Sequence, residues 1–202
     1  MKLHWSPKSP FVRKVMIVAV EIGLIDKITL VRSPVVMTSV NAAVMADNPL
    51  NKIPTLVLDD GTALFDSLVI CLYLDSLHDG PKVVPAGEAG FRTLTLHALT
   101  NGLLDLLILW RNERDRPAET RSQPHLDAYA AKTAAALRVL EGKAERFSPA
   151  SFDLGHITLG CALGYLDFRF ADMGWRTGRP ALTAFFECFS ARSSARATVP
   201  HE

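Results

Sequence analysis

Strand signals in this chain stop at Phe65, and from residue 89 onward only helical spacing remains. A single layered sheet cannot use both parts alike, so the chain reads as a mixed half followed by an all-helical half. Lys2 to Trp5 reads as a short strand. Pro10 stands where a helix begins, and apolar residues recur at Phe11, Val12, Val15, Met16, Ala19 and Ile22 before Gly23 stops it. Lys27 to Val31 reads as a second strand, and Ser33 to Leu50 as an irregular stretch with room for one short helix. Thr55 to Leu58 is a third strand, Asp59-Asp60-Gly61 a turn, and Thr62 to Phe65 its hairpin partner. Ser67 to Leu77 is apolar almost all round, which predicts a buried helix. Two strands joined through a helix should be parallel, and the hairpin antiparallel. The expected result is a small mixed sheet covered by helices, of βαβ-ββα order.

Gly80, Pro81, Pro85 and Gly87 make 78–88 a linker. Helical spacing then covers residues 89–116, 124–147 and 153–172, with a last short helix over 181–190. The predicted domains are thus 1–77, with its mixed sheet, and 89–202, a helical bundle.

The charge balance narrows the partners. The formal net charge is +1 and no block of like charges occurs. That argues against nucleic acid and against electrostatic membrane attachment, both of which need clustered basic residues. Ser6-Pro7-Lys8-Ser9-Pro10 interrupts any secretory apolar run at the start, and the apolar run Leu103 to Trp110 carries Asp105. A cytoplasmic protein is expected. Cys71, Cys161 and Cys188 are odd in number, widely spaced and set among apolar neighbours, so buried thiols are expected rather than a disulfide framework or a metal site. The histidines show no ligand spacing.

Three segments carry a resemblance. They are Ser6 to Lys14, Asn48 to Leu56, and Leu64-Phe65-Asp66-Ser67 leading into Ile70-Cys71-Leu72-Tyr73-Leu74. In this order, with Tyr165 to Arg169 in the helical half, the chain resembles the soluble glutathione transferases, bacterial and of the serine type. The resemblance implies a thioredoxin-like domain followed by a helical one, glutathione as co-substrate, no metal or nucleotide, and a two-fold homodimer. The implied activity is conjugation of glutathione to small electrophiles in detoxification. A non-catalytic ligand-binding or protein-interaction role, or a glutathione-dependent isomerase or dehalogenase, remains open beside it.

The resemblance assigns roles residue by residue, and each has a plainer structural alternative. Ser9 precedes Pro10, which is the pattern of an ordinary helix cap. The same helix end stabilises an anion, and a hydroxyl donating to a thiolate lowers its pKa. The position matching Ser9 activates the glutathione sulfur in serine-type members; Ser6 is the second candidate. With no cysteine before Cys71, a mixed disulfide at this place is excluded. Pro54 alone reads as a strand-start proline, whereas the resemblance implies a cis Ile53–Pro54 bond and strand-like pairing of Ile53 with the peptide of glutathione. Lys52 is implied near the glycine carboxylate. Asp66 and Ser67 can simply cap a helix, and can also meet the γ-glutamyl ammonium and carboxylate. Trp5, Trp110, Arg111 and Arg114 are candidates to line the electrophile pocket, with core packing or a solvated face as the alternative. His156 stands where the family usually carries a carboxylate three residues after the helix cap, and Gly155 sits in the same first turn; both departures bear on the stability of that helix start.

Overall fold

The computed structural model describes residues 1–147 and 152–202. They form two compact units, residues 1–90 with 193–202, and residues 91–192.

In the first unit the strands are β1 (Lys2–Trp5), β2 (Thr29–Arg32), β3 (Thr55–Val57) and β4 (Ala63–Leu64). Their order in the sheet is β2-β1-β3-β4, with β1 parallel to β2 and antiparallel to β3, and β3 antiparallel to β4. The mixed sheet expected from the sequence is therefore present. The β3–β4 turn closes through Asp60, whose carboxylate accepts from the Thr62 N–H at 2.8 Å, while Gly61 takes a φ of 88°. That positive φ is the reason for glycine at this place. The second strand opens at Thr29, not at Lys27, because Ile25–Lys27 form one tight 3-10 turn closed by the Ile28 N–H on the Ile25 carbonyl at 3.1 Å.

Helix α1 (Pro10–Glu21) turns Val12, Val15, Ile17, Val18 and Ala19 into the core and packs on α3 (Ser67–Ser76). The short α2 (Ala42–Asp47) lies between, capped by Asn41. Segment 78–88 is fastened rather than loose. The buried Asp75 carboxylate accepts from the Val83 and Val84 N–H groups at 2.9 and 3.3 Å and pairs with His78 at 3.0 Å. Helix α4 (Gly87–Arg114) begins within that segment, where a Cβ on Gly90 would stand 2.1 Å from the Pro85 carbonyl oxygen.

The remaining helices are α5 (Gln123–Ala144), α6 (Leu154–Arg169), α7 (Pro180–Ala191) and α8 (Ser193–Arg196). In the second unit α6 is the central rod, buried from Leu154 through Leu166. A Cβ on Gly160 would lie 2.2 Å from the Phe189 ring, so α6 and α7 approach at a spacing only glycine permits. The sequence reading carries the helical part to residue 202, whereas Ser193–Glu202 cluster with the first unit. There the Arg13 guanidinium donates to the Ala195 carbonyl at 3.2 Å, and Ser194 donates to Glu21. The run Leu103–Trp110 belongs to the 28-residue α4, which by length and composition alone could cross a membrane. Its Leu103, Leu104 and Leu107 are buried in protein. Cys71 and Cys161 are buried as expected, but Cys188 is exposed, because α7 buries only Leu182 and Phe189.

Candidate functional site

Strand register gathers the three segments singled out in the first unit. His4 pairs with Thr55 in the antiparallel β1–β3 ladder, so Ile53–Pro54 lies beside the carboxyl end of β1, where Ser6 to Pro10 begin. Leu56 pairs with Leu64 in the antiparallel β3–β4 ladder, so Phe65 to Ser67 emerge at the same end. Helices α1 and α3 both start there. Two positive helix ends thus face one edge of the sheet, an arrangement suited to an anionic ligand.

Ser9 is the cap of α1, and its Oγ accepts from the Val12 N–H at 3.3 Å. It is half-buried. Ser6 is more enclosed, at 8% exposed, and its Oγ accepts from the Lys8 N–H at 3.4 Å. The Ser6 carbonyl in turn accepts from the Ser9 N–H at 3.2 Å, which fixes the bend carrying both hydroxyls.

The Ile53–Pro54 bond is cis, as is Phe65–Asp66. Among the described residues no main-chain hydrogen bond uses the Ile53 N–H or C=O. The loop is held from behind by Asn48, 1% exposed, which donates to the Lys52 carbonyl at 3.3 Å and to Thr55 Oγ1 at 2.9 Å. Thr55 Oγ1 donates to the same Lys52 carbonyl at 2.9 Å. The Lys52 side chain is exposed. Asn48 was quoted in the sequence motif without a role; its signal was the Asn-Pro pair, a turn former whose amide side chain bonds nearby backbone.

Asp66 caps α3 by accepting from the Leu68 N–H at 2.9 Å and is itself exposed, whereas Ser67 is 2% exposed. Sequence reasoning missed a buried polar chain beneath this edge. His4 lies 2.7 Å from Ser33 Oγ and 2.7 Å from Asp47 Oδ2, and Lys2 joins Asp47 at 2.7 Å. Hydrogen bonds from His4 and then Lys2 hold the Asp47 carboxyl below its ordinary value.

Trp5 ends β1, half-buried, in the first unit. Trp110, Arg111 and Arg114 sit together in the second unit. Trp110 packs on Phe170 with centroids 4.9 Å apart. Arg111 donates to the Tyr165 hydroxyl at 3.2 Å, and Arg114 donates to the Arg169 carbonyl at 2.7 Å over the face of Phe170. Both arginines are thus held against α6 rather than spread on a solvated face. Among the described residues no group of three or more His, Cys, Asp or Glu could hold a metal ion.

Residues 8–77 match the family model "Glutathione S-transferase, N-terminal domain", and residues 123–188 match "Glutathione S-transferase, C-terminal domain". The chain belongs to the glutathione S-transferase family. It is 33% identical over 203 residues to the uncharacterized GST-like protein YibF of Escherichia coli K12, covering 99% of this chain and 98% of that one. A crystal structure of a glutathione transferase family member from Pseudomonas fluorescens Pf-5 with bound glutathione is 42% identical, with a TM-score of 0.96 over 100% of this chain and 99% of that one. A second structure from the same source holds S-(propanoic acid)-glutathione, at 40% identity and a TM-score of 0.92, covering 100% of each chain. A glutathione S-transferase from Methylobacillus flagellatus KT with glutathione bound is 31% identical, with a TM-score of 0.91 and 99% of each chain covered.

Proposed function

We propose that this member of the glutathione S-transferase family is a serine-type enzyme that binds glutathione and transfers its sulfur to a small electrophile. The observation that carries the reading is the meeting of two helix starts and the unpaired Ile53 main chain at one end of the sheet. In this reading Ile53 pairs with the cysteinyl peptide as an added strand, with Pro54 fixing the loop. Ser67 and the α3 N–H groups take the γ-glutamyl carboxylate, Asp66 takes the ammonium, and Lys52 reaches the glycine carboxylate. The sulfur lies at the start of α1, where the helix end and the Ser9 hydroxyl favour the thiolate. The thiolate attacks the electrophile, forms the carbon–sulfur bond and expels the leaving group or protonates the adduct. Relatives seen with glutathione and with a sulfur-substituted glutathione support both stages.

Pairing as a two-fold homodimer and a cytoplasmic detoxifying role belong to the same proposal. Calorimetry with glutathione tests the first stage, and conjugation of an activated aryl halide the second. Absence of glutathione binding at millimolar concentration refutes the site. Binding without turnover of any electrophile class leaves a ligand carrier.

A further inference from the structure

Hydrogen-bond donors without matching acceptors gather around Tyr165 in the helical unit. Tyr165, 0% exposed on α6, accepts from Arg111 Nη1 at 3.2 Å, and among the described residues its own proton meets no acceptor. Arg111 Nη2 donates to Asn112 Oδ1 at 2.8 Å, which leaves the Asn112 amide nitrogen buried with no partner. Arg114 comes from the next turn, and Arg169 lies over the Phe168 ring at 3.9 Å. The carboxylates close by are already engaged. Asp115, half exposed, pairs with Arg114 Nε at 3.0 Å, and Glu113 accepts from the Ser122 N–H at 2.6 Å and from Arg116 at 3.3 Å. Burial raises the Tyr165 hydroxyl pKa, against the pull of Arg111, Arg169 and Arg114.

A buried amide N–H that meets no acceptor is costly, and three guanidinium groups around one phenol repel each other. A ligand that brings only acceptors and a negative charge relieves both. We propose that Asn112, Arg111, Arg114 and Tyr165 form a binding site for a small organic carboxylate. A carboxylate offers two acceptor oxygens in a plane, which suits an arginine fork together with an amide N–H pair. The Trp110 and Phe170 rings form an aromatic wall beside the donors, which favours a flat acid. The site lies within the helical unit and stands independently of the transferase reading.

The test is calorimetry without glutathione, using 4-nitrobenzoate and 4-nitrobenzamide, which match in shape and differ in charge. The acid should bind the wild-type protein at least about tenfold more tightly than the amide, a difference that charge-assisted bonds supply. Asn112→Asp places a carboxylate among the arginines. It should abolish the preference for the acid and raise the melting temperature. Arg114→Gln, which alters a partly exposed side chain, should weaken the acid about tenfold and leave the amide unchanged. Equal binding of acid and amide, no binding of either at millimolar concentration, or an acid preference that survives Arg114→Gln would overturn the proposal.

Discussion

Ser9→Ala removes two functions that the structure separates on one oxygen. A lone pair of Oγ accepts the Val12 N–H at 3.3 Å, while among the described residues its proton meets no acceptor. The cap bond is long, so its loss should cost about 0.5–1 kcal/mol. For a chain of this size that lowers the melting temperature by roughly 1–4 °C. The hydroxyl-to-thiolate bond is charge-assisted and contributes about 1.5–3 kcal/mol. Its loss should therefore reduce kcat/KM about 10–150-fold and raise the pKa of the bound thiol by about 1–2 units. The rising limb of the pH–rate profile, which follows thiolate formation, should move upward by the same amount. Ser9→Asp separates the two effects. An aspartate still caps α1, so melting should change little. It also sets a negative charge against the thiolate, so activity should fall below that of the alanine variant. The assay is conjugation of an activated aryl halide across the neutral pH range, with thiolate absorbance of bound glutathione and thermal melting beside it. Unchanged kcat/KM and an unmoved pH limb in Ser9→Ala would refute the assignment. Loss on Ser6→Ala instead would move the role to Ser6.

The other predictions concern the packing behind the site and the helical unit. Asp153 caps α6 and holds three donors, the His156 N–H at 3.1 Å, the His156 ring at 2.7 Å and the Thr93 hydroxyl at 2.5 Å. Burial pushes its pKa up, but the bonds from His156 and Thr93 outweigh that and hold it low. Its folded pKa thus lies below the unfolded value of about 3.9, so its stabilisation is full above that pH and is lost as pH falls through the folded value. Asp153→Ala should destabilise by about 2–4 kcal/mol at neutral pH, read from denaturant melts, with a smaller difference at about pH 3. The Asp47 carboxyl, also held low by His4 and Lys2, has the same sign: Asp47→Asn should shift acid unfolding to higher pH, followed by circular dichroism. Gly160→Ala should cost about 1–3 kcal/mol in thermal melts, because the new methyl meets the buried Phe189 ring. Recovery on adding Phe189→Leu would show that the ring is the obstacle.

Local signals in the sequence were enough for most of the fold. Ser9-Pro10 started α1, and Asp59-Asp60-Gly61 closed the hairpin, because caps and turns depend on residues a few positions apart. The three site segments were legible for the same reason. His156 and Gly155 were not. The sequence suggested a weakened start for α6, yet the His156 ring completes the cap with Asp153, and Gly155 is needed where its Cβ position lies 3.0 Å from the Thr93 carbonyl oxygen. Both facts depend on what stands opposite, not on neighbours in the chain.

Periodicity likewise placed Trp110, Arg111 and Arg114 on one helix without revealing that Tyr165, Arg169 and Phe170 would occupy them. By itself the sequence determined the change from a mixed sheet to helices alone and the chemistry each motif can offer. Only tertiary structure decided that Ser9, Ile53 and Ser67 share one end of the sheet, that 193–202 return to the first unit, and that donors crowd around Tyr165. Those outcomes follow from strand register and close packing, which couple residues far apart along the chain.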